Sequence, residues 1–120
     1  MKKVFIICSV RNATEEYRTK LESYVSGLEK RNIKVHLPHR DTNQNARVIE
    51  ICEENAKAIR NADEVHIFYS SSSQGTHFDM GVAFALNKPL VVVENEIYHE
   101  GKNYPGMIDE WAAGFKANSK

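Results

Sequence analysis

Several things this 120-residue chain has little of narrow what it can be. It carries two cysteines, Cys8 and Cys52, far apart and in no C-x-x-C pair, so neither a disulfide framework nor a zinc ribbon is encoded. With no secretory segment to be read, two reduced thiols and a cytoplasmic setting are expected. Six glycines and three prolines exclude collagen-like and low-complexity chains. Neither sign of charge is in excess: 16 Lys plus Arg balance 16 Asp plus Glu. A protein held on polymeric nucleic acid by electrostatics normally shows a basic surplus, so that class is not expected. No apolar run approaches the roughly 18–20 residues of a membrane span. The apolar start, Val4 to Cys8, is too short for a signal-peptide core and lacks a cleavage pattern.

What is present is an alternation of short apolar runs and amphipathic segments. Val4-Phe5-Ile6-Ile7-Cys8 is continuous, β-branched and apolar, which suits a strand covered on both faces. Asn12 or Thr14 is positioned to cap a helix over Glu15–Arg31, whose Tyr17, Leu21, Tyr24, Val25 and Leu28 share one face. Asn32 marks its stop. Ile33 to Leu37 reads as a second strand ended by Pro38, followed by a polar loop from His39 to Asn45. A second helix is expected over roughly Ala46–Asn61, a strand over Glu64–Tyr69, a helix over Thr76–Asn87 and a buried strand over Pro89–Val93. A closing helix carries Met107, Ile108, Trp111, Ala112 and Phe115. This β-α-β-α-β-α-β-α order predicts a single α/β domain: a Rossmann- or flavodoxin-like parallel sheet of four or five strands flanked by helices. Ligands of such sheets bind beyond the carboxyl ends of the strands. The residues that matter are then Ser9-Val10-Arg11, Pro38 to Asp41, Ser70 to Thr76 and Glu94 to Tyr98.

The richest of these stretches is Ser70-Ser71-Ser72-Ser73-Gln74-Gly75-Thr76-His77-Phe78-Asp79. It leaves a strand and enters a helix, gathering hydroxyls and free amide N–H groups at the positive end of the helix dipole. A phosphate or sugar suits that environment, as does plain water around a serine loop. The stretch has neither the lysine of a P-loop nor a G-x-G-x-x-G pattern. Asp79 reads in two ways. Thr76-x-x-Asp79 resembles a shortened capping box, the commoner fate at a helix start. The other reading is a nucleophile, because a carboxylate stabilises an oxocarbenium-like centre and can form a covalent glycosyl intermediate. Arg11 offers a planar fork to a phosphate, or simply lies exposed. The histidines, His36, His39, His66, His77 and His99, show no ligand spacing, so no metal and no cofactor is expected. Met80, Phe78 and Phe84 read as core.

Three stretches together resemble the nucleoside 2-deoxyribosyltransferase superfamily, and within it the 2'-deoxynucleoside 5'-phosphate N-hydrolases. They are Ile7 to Arg11, Asn55 to Asp63, and Ser73 to Ala83 with Lys88-Pro89, within a likeness running from residue 4 to about 93. The resemblance implies one such domain over residues 1–120, a nucleoside or nucleotide substrate, N-glycosidic cleavage or transfer, and a homodimer or larger assembly. It places the nucleophile on Asp79, where the family usually has Glu, and its second acidic position on Asn55. It places phosphate recognition on Ser73 and on the pair Ser9 and Arg11. The hydroxyls and amides of Ser71, Gly75 and Thr76 complete the expected substrate side. Where the hydrolases carry a serine that reaches a neighbouring subunit's phosphate, this chain has Pro105. Asp41, His39 and Glu94 are the candidates to supply the proton that Asn55 lacks. A domain that binds a nucleotide without cleaving it is the competing reading, favoured by Asn55; a purely structural flavodoxin-like module is the third.

Overall fold

A computed structural model describes residues 1–11, 13–97 and 102–114. Its elements are β1 (Lys3–Ile7), α1 (Glu15–Lys30), β2 (Lys34–His36), α2 (Pro38–Asp41), α3 (Val48–Asn61), β3 (Glu64–Phe68), α4 (Gln74–Ala85), β4 (Leu90–Glu94) and α5 (Tyr104–Ala112). The four strands form one sheet in the order β2-β1-β3-β4, and every pairing is parallel. Strands joined through helices can pair in no other sense without long return loops.

Alternation along β1 sorts the core into two layers. Phe5 and Ile7 pack with Ile59 of α3, Met80 and Ala83 of α4, and Ile108 and Trp111 of α5. Val4, Ile6 and Cys8 pack on the other face with Leu21, Val25 and Leu28 of α1. The apolar run at the amino end is therefore the central strand's answer to helices on both sides.

Helix ends follow local chemistry. The Thr14 side chain accepts from the Tyr17 N–H at 3.0 Å and opens α1; Asn12 lies outside the described residues. Asn32, at φ 63°, takes the left-handed conformation that closes α1, as expected from its ability to adopt αL. Asn87, at φ 57°, does the same after α4.

Four expectations change. The polar loop after Pro38 contains a turn of helix: Pro38 starts α2, and the Asp41 carboxylate accepts from the Leu37 N–H at 2.9 Å. The helix expected from Thr76 starts two residues earlier, because Ser73 rather than Thr76 is its cap, accepting from the Thr76 N–H at 3.1 Å. The strand expected to be buried, β4, is an edge strand with Val91 exposed, since α1 covers the centre of the sheet and not this margin. Phe78 and Phe84, expected in the core, are 44% and 42% exposed, because α4 turns Thr76, Asp79, Met80 and Ala83 inward instead. Tyr98, His99, Gly101 and Phe115 lie outside the described residues.

Candidate active site

β1 and β3 are neighbours, so the segments that leave their carboxyl ends open side by side. Ser9 and Arg11 follow β1, and Ser70 to Ser73 follow β3. Arg11 is exposed, and the Ser9 N–H points to the Tyr17 hydroxyl oxygen at 3.4 Å. In the serine loop, the hydroxyls of Ser70 and Ser72 lie 3.1 Å apart. The Ser71 N–H donates to Glu96 at 2.9 Å, so this amide is already engaged. Ser73 caps α4 through its oxygen and keeps its hydroxyl proton for another acceptor. Gly75 has ordinary helical geometry, and a Cβ built on it meets nothing within 4 Å, which leaves open room over the start of α4. Thr76, expected on the substrate side, is wholly buried, and its hydroxyl has no hydrogen-bond partner.

Asp79 is the chemically unusual residue. It is the sixth residue of α4, past the first turn, and only 3% exposed. One carboxylate oxygen, Oδ1, is buried and unpartnered, and the Asn55 side chain lies close enough to the carboxyl group to favour its ionised form. The cap reading of Asp79 does not hold, because Ser73 occupies that role. A helix dipole would favour an ionised carboxylate at the start of α4. Burial outweighs Asn55, and pushes the Asp79 pKa from 3.8 up to about 7. The helix dipole acts within the first turn, and Asp79 lies beyond it.

The groups around Asp79 are of the same buried kind. Cys8, at the end of β1, is pushed up to about 12 by burial and then by the Asp79 charge. A thiol in that state is not a nucleophile. Tyr17 is pushed up to about 12 by burial and by Cys8. Behind Asn55 lies a contact that the sequence did not reveal. The buried Thr42 hydroxyl donates to Asn55 Oδ1 at 2.7 Å, and His36 Nε2 lies 2.8 Å from the same hydroxyl. Thr42 and His36 come from either side of α2. Only the polar character of the segment was legible, not its reach to α3.

The three proposed proton donors separate. Asp41 is tied to Arg40 and to the Leu37 N–H; burial pushes it up, but these bonds prevail and hold it below its ordinary value. His39 lines a cavity of about 420 Å³ between α1 and α2 with Arg18, Glu22 and Arg40. Glu94 ends β4 and pairs with Lys20 at 2.6 Å. Of the other histidines, His66 is buried between Tyr24 and Glu64, and His77 is held by the Ser73 carbonyl and the Tyr69 hydroxyl. Among the described residues no group of three or more His, Cys, Asp or Glu is gathered to hold a metal ion. Among them, too, no helix is long and apolar enough to cross a membrane.

A parallel α/β sheet with a buried carboxylate on the helix after β3 defines a class, and comparison with known proteins says which. The chain belongs to the nucleoside 2-deoxyribosyltransferase family, matched over residues 7–110. Among solved structures it is similar to a CMP N-glycosidase from Clostridium botulinum, at 19% identity and a TM-score of 0.67, covering 93% of this chain and 82% of that one. It is also similar to a 2-deoxyribosyltransferase from Bacillus psychrosaccharolyticus, at 17% identity and a TM-score of 0.66, covering 88% and 79%. A third is a 2-deoxyribosyltransferase from Leishmania mexicana, at 20% identity and 0.63, covering 80% and 66%. At these identities the likeness is one of fold. No match was found among curated proteins.

Proposed function

We propose that this protein breaks the N-glycosidic bond of a 2'-deoxynucleoside or its 5'-monophosphate, with Asp79 as the nucleophile. The observation that carries the reading is a nearly buried carboxylate with one free oxygen at the ligand edge of the sheet. Family membership supports the reaction class, and similarity to a CMP N-glycosidase supports a nucleotide as substrate.

In the step proposed, an ionised Asp79 oxygen attacks the anomeric carbon. The bond from that carbon to the base breaks, and the base leaves with the electron pair and takes up a proton. Water, or a second base, then displaces Asp79 from the sugar. A 2'-deoxy sugar is preferred because loss of the electron-withdrawing 2'-hydroxyl eases oxocarbenium formation. Ser9, Arg11, Ser71, Ser73 and Gly75 form the substrate side. Arg11 and the free hydroxyl proton of Ser73 are the groups offered to a 5'-phosphate. Thr76 lies beneath this surface, its buried hydroxyl turned away from solvent. Asn55 holds the carboxylate rather than trading protons with it. Glu94, the acid that β4 presents at this edge, is the candidate to protonate the base. The exposed Phe78 and Phe84 on α4 support a homodimer or larger assembly.

Incubation with a panel of nucleosides and 5'-nucleotides, read by chromatography for free base, tests the reading. Base release by the native protein and none by Asp79→Asn is the expected result. Binding of a nucleotide without base release by the native protein would establish the non-catalytic alternative, which Asn55 in place of an acid favours.

A further inference from the structure

The bonds behind Asn55 form a directed chain. A threonine hydroxyl has one proton, and Thr42 donates it to Asn55 Oδ1 at 2.7 Å. Its oxygen must then accept from the other neighbour, so the contact at 2.8 Å is a bond donated by His36 Nε2–H. This fixes the His36 tautomer. Asn55 Oδ1 is now committed to Thr42, which leaves the amide N–H groups of Asn55 for Asp79. Two hydrogen bonds, His36 to Thr42 and Thr42 to Asn55, thus run in one direction, and the Asn55 amide they orient lies beside the Asp79 carboxyl group, whose ionised form it favours.

The surroundings hold this direction. The His36 ring stacks on Phe5 with centroids 5.2 Å apart and planes 13° apart, so it cannot swing away freely. Burial lowers the His36 pKa, while Asp41 and Glu54 raise it and Arg40 lowers it again. A neutral ring protonated on Nε2 makes the required bond. Thr42 is buried, so water does not compete for its hydroxyl. An amide with no such tether can turn over and present its carbonyl to Asp79. That face suits only the protonated carboxylic acid and opposes the anion.

We propose that Thr42, oriented by His36, is a positioning residue: it selects the face of the Asn55 amide that meets Asp79 and so favours the ionised, nucleophilic carboxylate. The inference deepens the proposed function and rests on Asp79 as nucleophile for its meaning, but its test needs no substrate. The other titratable groups facing Asp79 are Cys8 from β1 and, beyond it, Tyr17 from α1, and both are protonated at neutral pH.

The experiment is titration of the Asp79 carboxyl carbon by NMR, assigned by its disappearance in Asp79→Asn, from about pH 4 to about pH 9. Thr42→Val keeps the shape and removes the hydroxyl. It should raise the Asp79 pKa by about one pH unit, a tenfold gain in proton affinity, which is the scale of one hydrogen bond to a charged group. Thr42→Ser should restore the native titration. His36→Phe keeps the ring stack and removes the donor, and should raise the pKa in the same direction by less. It also serves as the deciding variant should Thr42→Val not fold. A folded Thr42→Val, or in its place His36→Phe, in which Asp79 titrates as in the native protein overturns the inference. A shifted Asp79 in a protein that releases no base from any nucleotide sinks the enzymatic reading and leaves the relay standing. In an active protein, the pH profile of kcat should move to higher pH with the carboxyl while KM holds.

Discussion

Asp79 makes the stability of this protein fall as pH rises, and one substitution isolates the effect. In the unfolded chain its pKa is that of an ordinary aspartate, 3.8; in the folded protein burial holds it at about 7. The folded state therefore binds the proton more tightly. Its advantage is complete below pH 4 or so and is lost progressively as the pH rises to about 7, beyond which the penalty is constant. At 1.36 kcal/mol for each pH unit, that separation costs about 4 kcal/mol of stability at pH 8 relative to the protonated state. Asp79→Asn has nearly the same shape and no charge to bury. Its amide N–H groups meet the same unpartnered surroundings at every pH, so any cost of about 1–3 kcal/mol from them is independent of pH. The difference between the two proteins should therefore change by about 4 kcal/mol in favour of Asn between pH 4 and pH 8. Urea unfolding of both at intervals across that range measures it directly. Parallel curves of stability against pH for the two proteins would refute the argument, for they would show that Asp79 titrates alike folded and unfolded.

Three further outcomes are expected. Arg11→Ala should weaken binding of a 5'-nucleotide far more than of the matching nucleoside, as read by calorimetry; equal losses would remove Arg11 from phosphate recognition. Ser73→Ala should cost about 1 kcal/mol in denaturant unfolding through loss of the α4 cap, and its nucleotide binding should fall beyond what nucleoside binding does; unchanged stability would contradict the cap. Phe78→Ser together with Phe84→Ser should lower the mass in solution, by light scattering at micromolar concentration, from that of a dimer to that of a monomer; a native protein already monomeric would dispose of the assembly.

The α/β class, the parallel sheet and the positions of its strands were legible in the residues because they follow from local pattern. A β-branched run such as Val4 to Cys8 has no polar face to expose, and a face built from Leu21, Val25 and Leu28 can only be buried against something. The strand-end location of Ser9, Ser73 and Asp79 followed from that order. Packing at longer range decided the rest. Asp79 looks like a cap beside Thr76, but Ser73 takes the cap, so Asp79 falls past the first turn on the buried face of α4, where desolvation rather than the helix dipole governs its proton. Phe78 and Phe84 have the composition of a core, yet the helix needed its other face inside. Thr42 and His36 carry no local mark of a role, since a hydroxyl and an imidazole in a polar segment are ordinary. They act on Asp79 only because the chain leaving α2 brings Thr42 to Asn55 of α3, and a hydrogen bond depends on where atoms end up in space, which spacing along the chain does not encode.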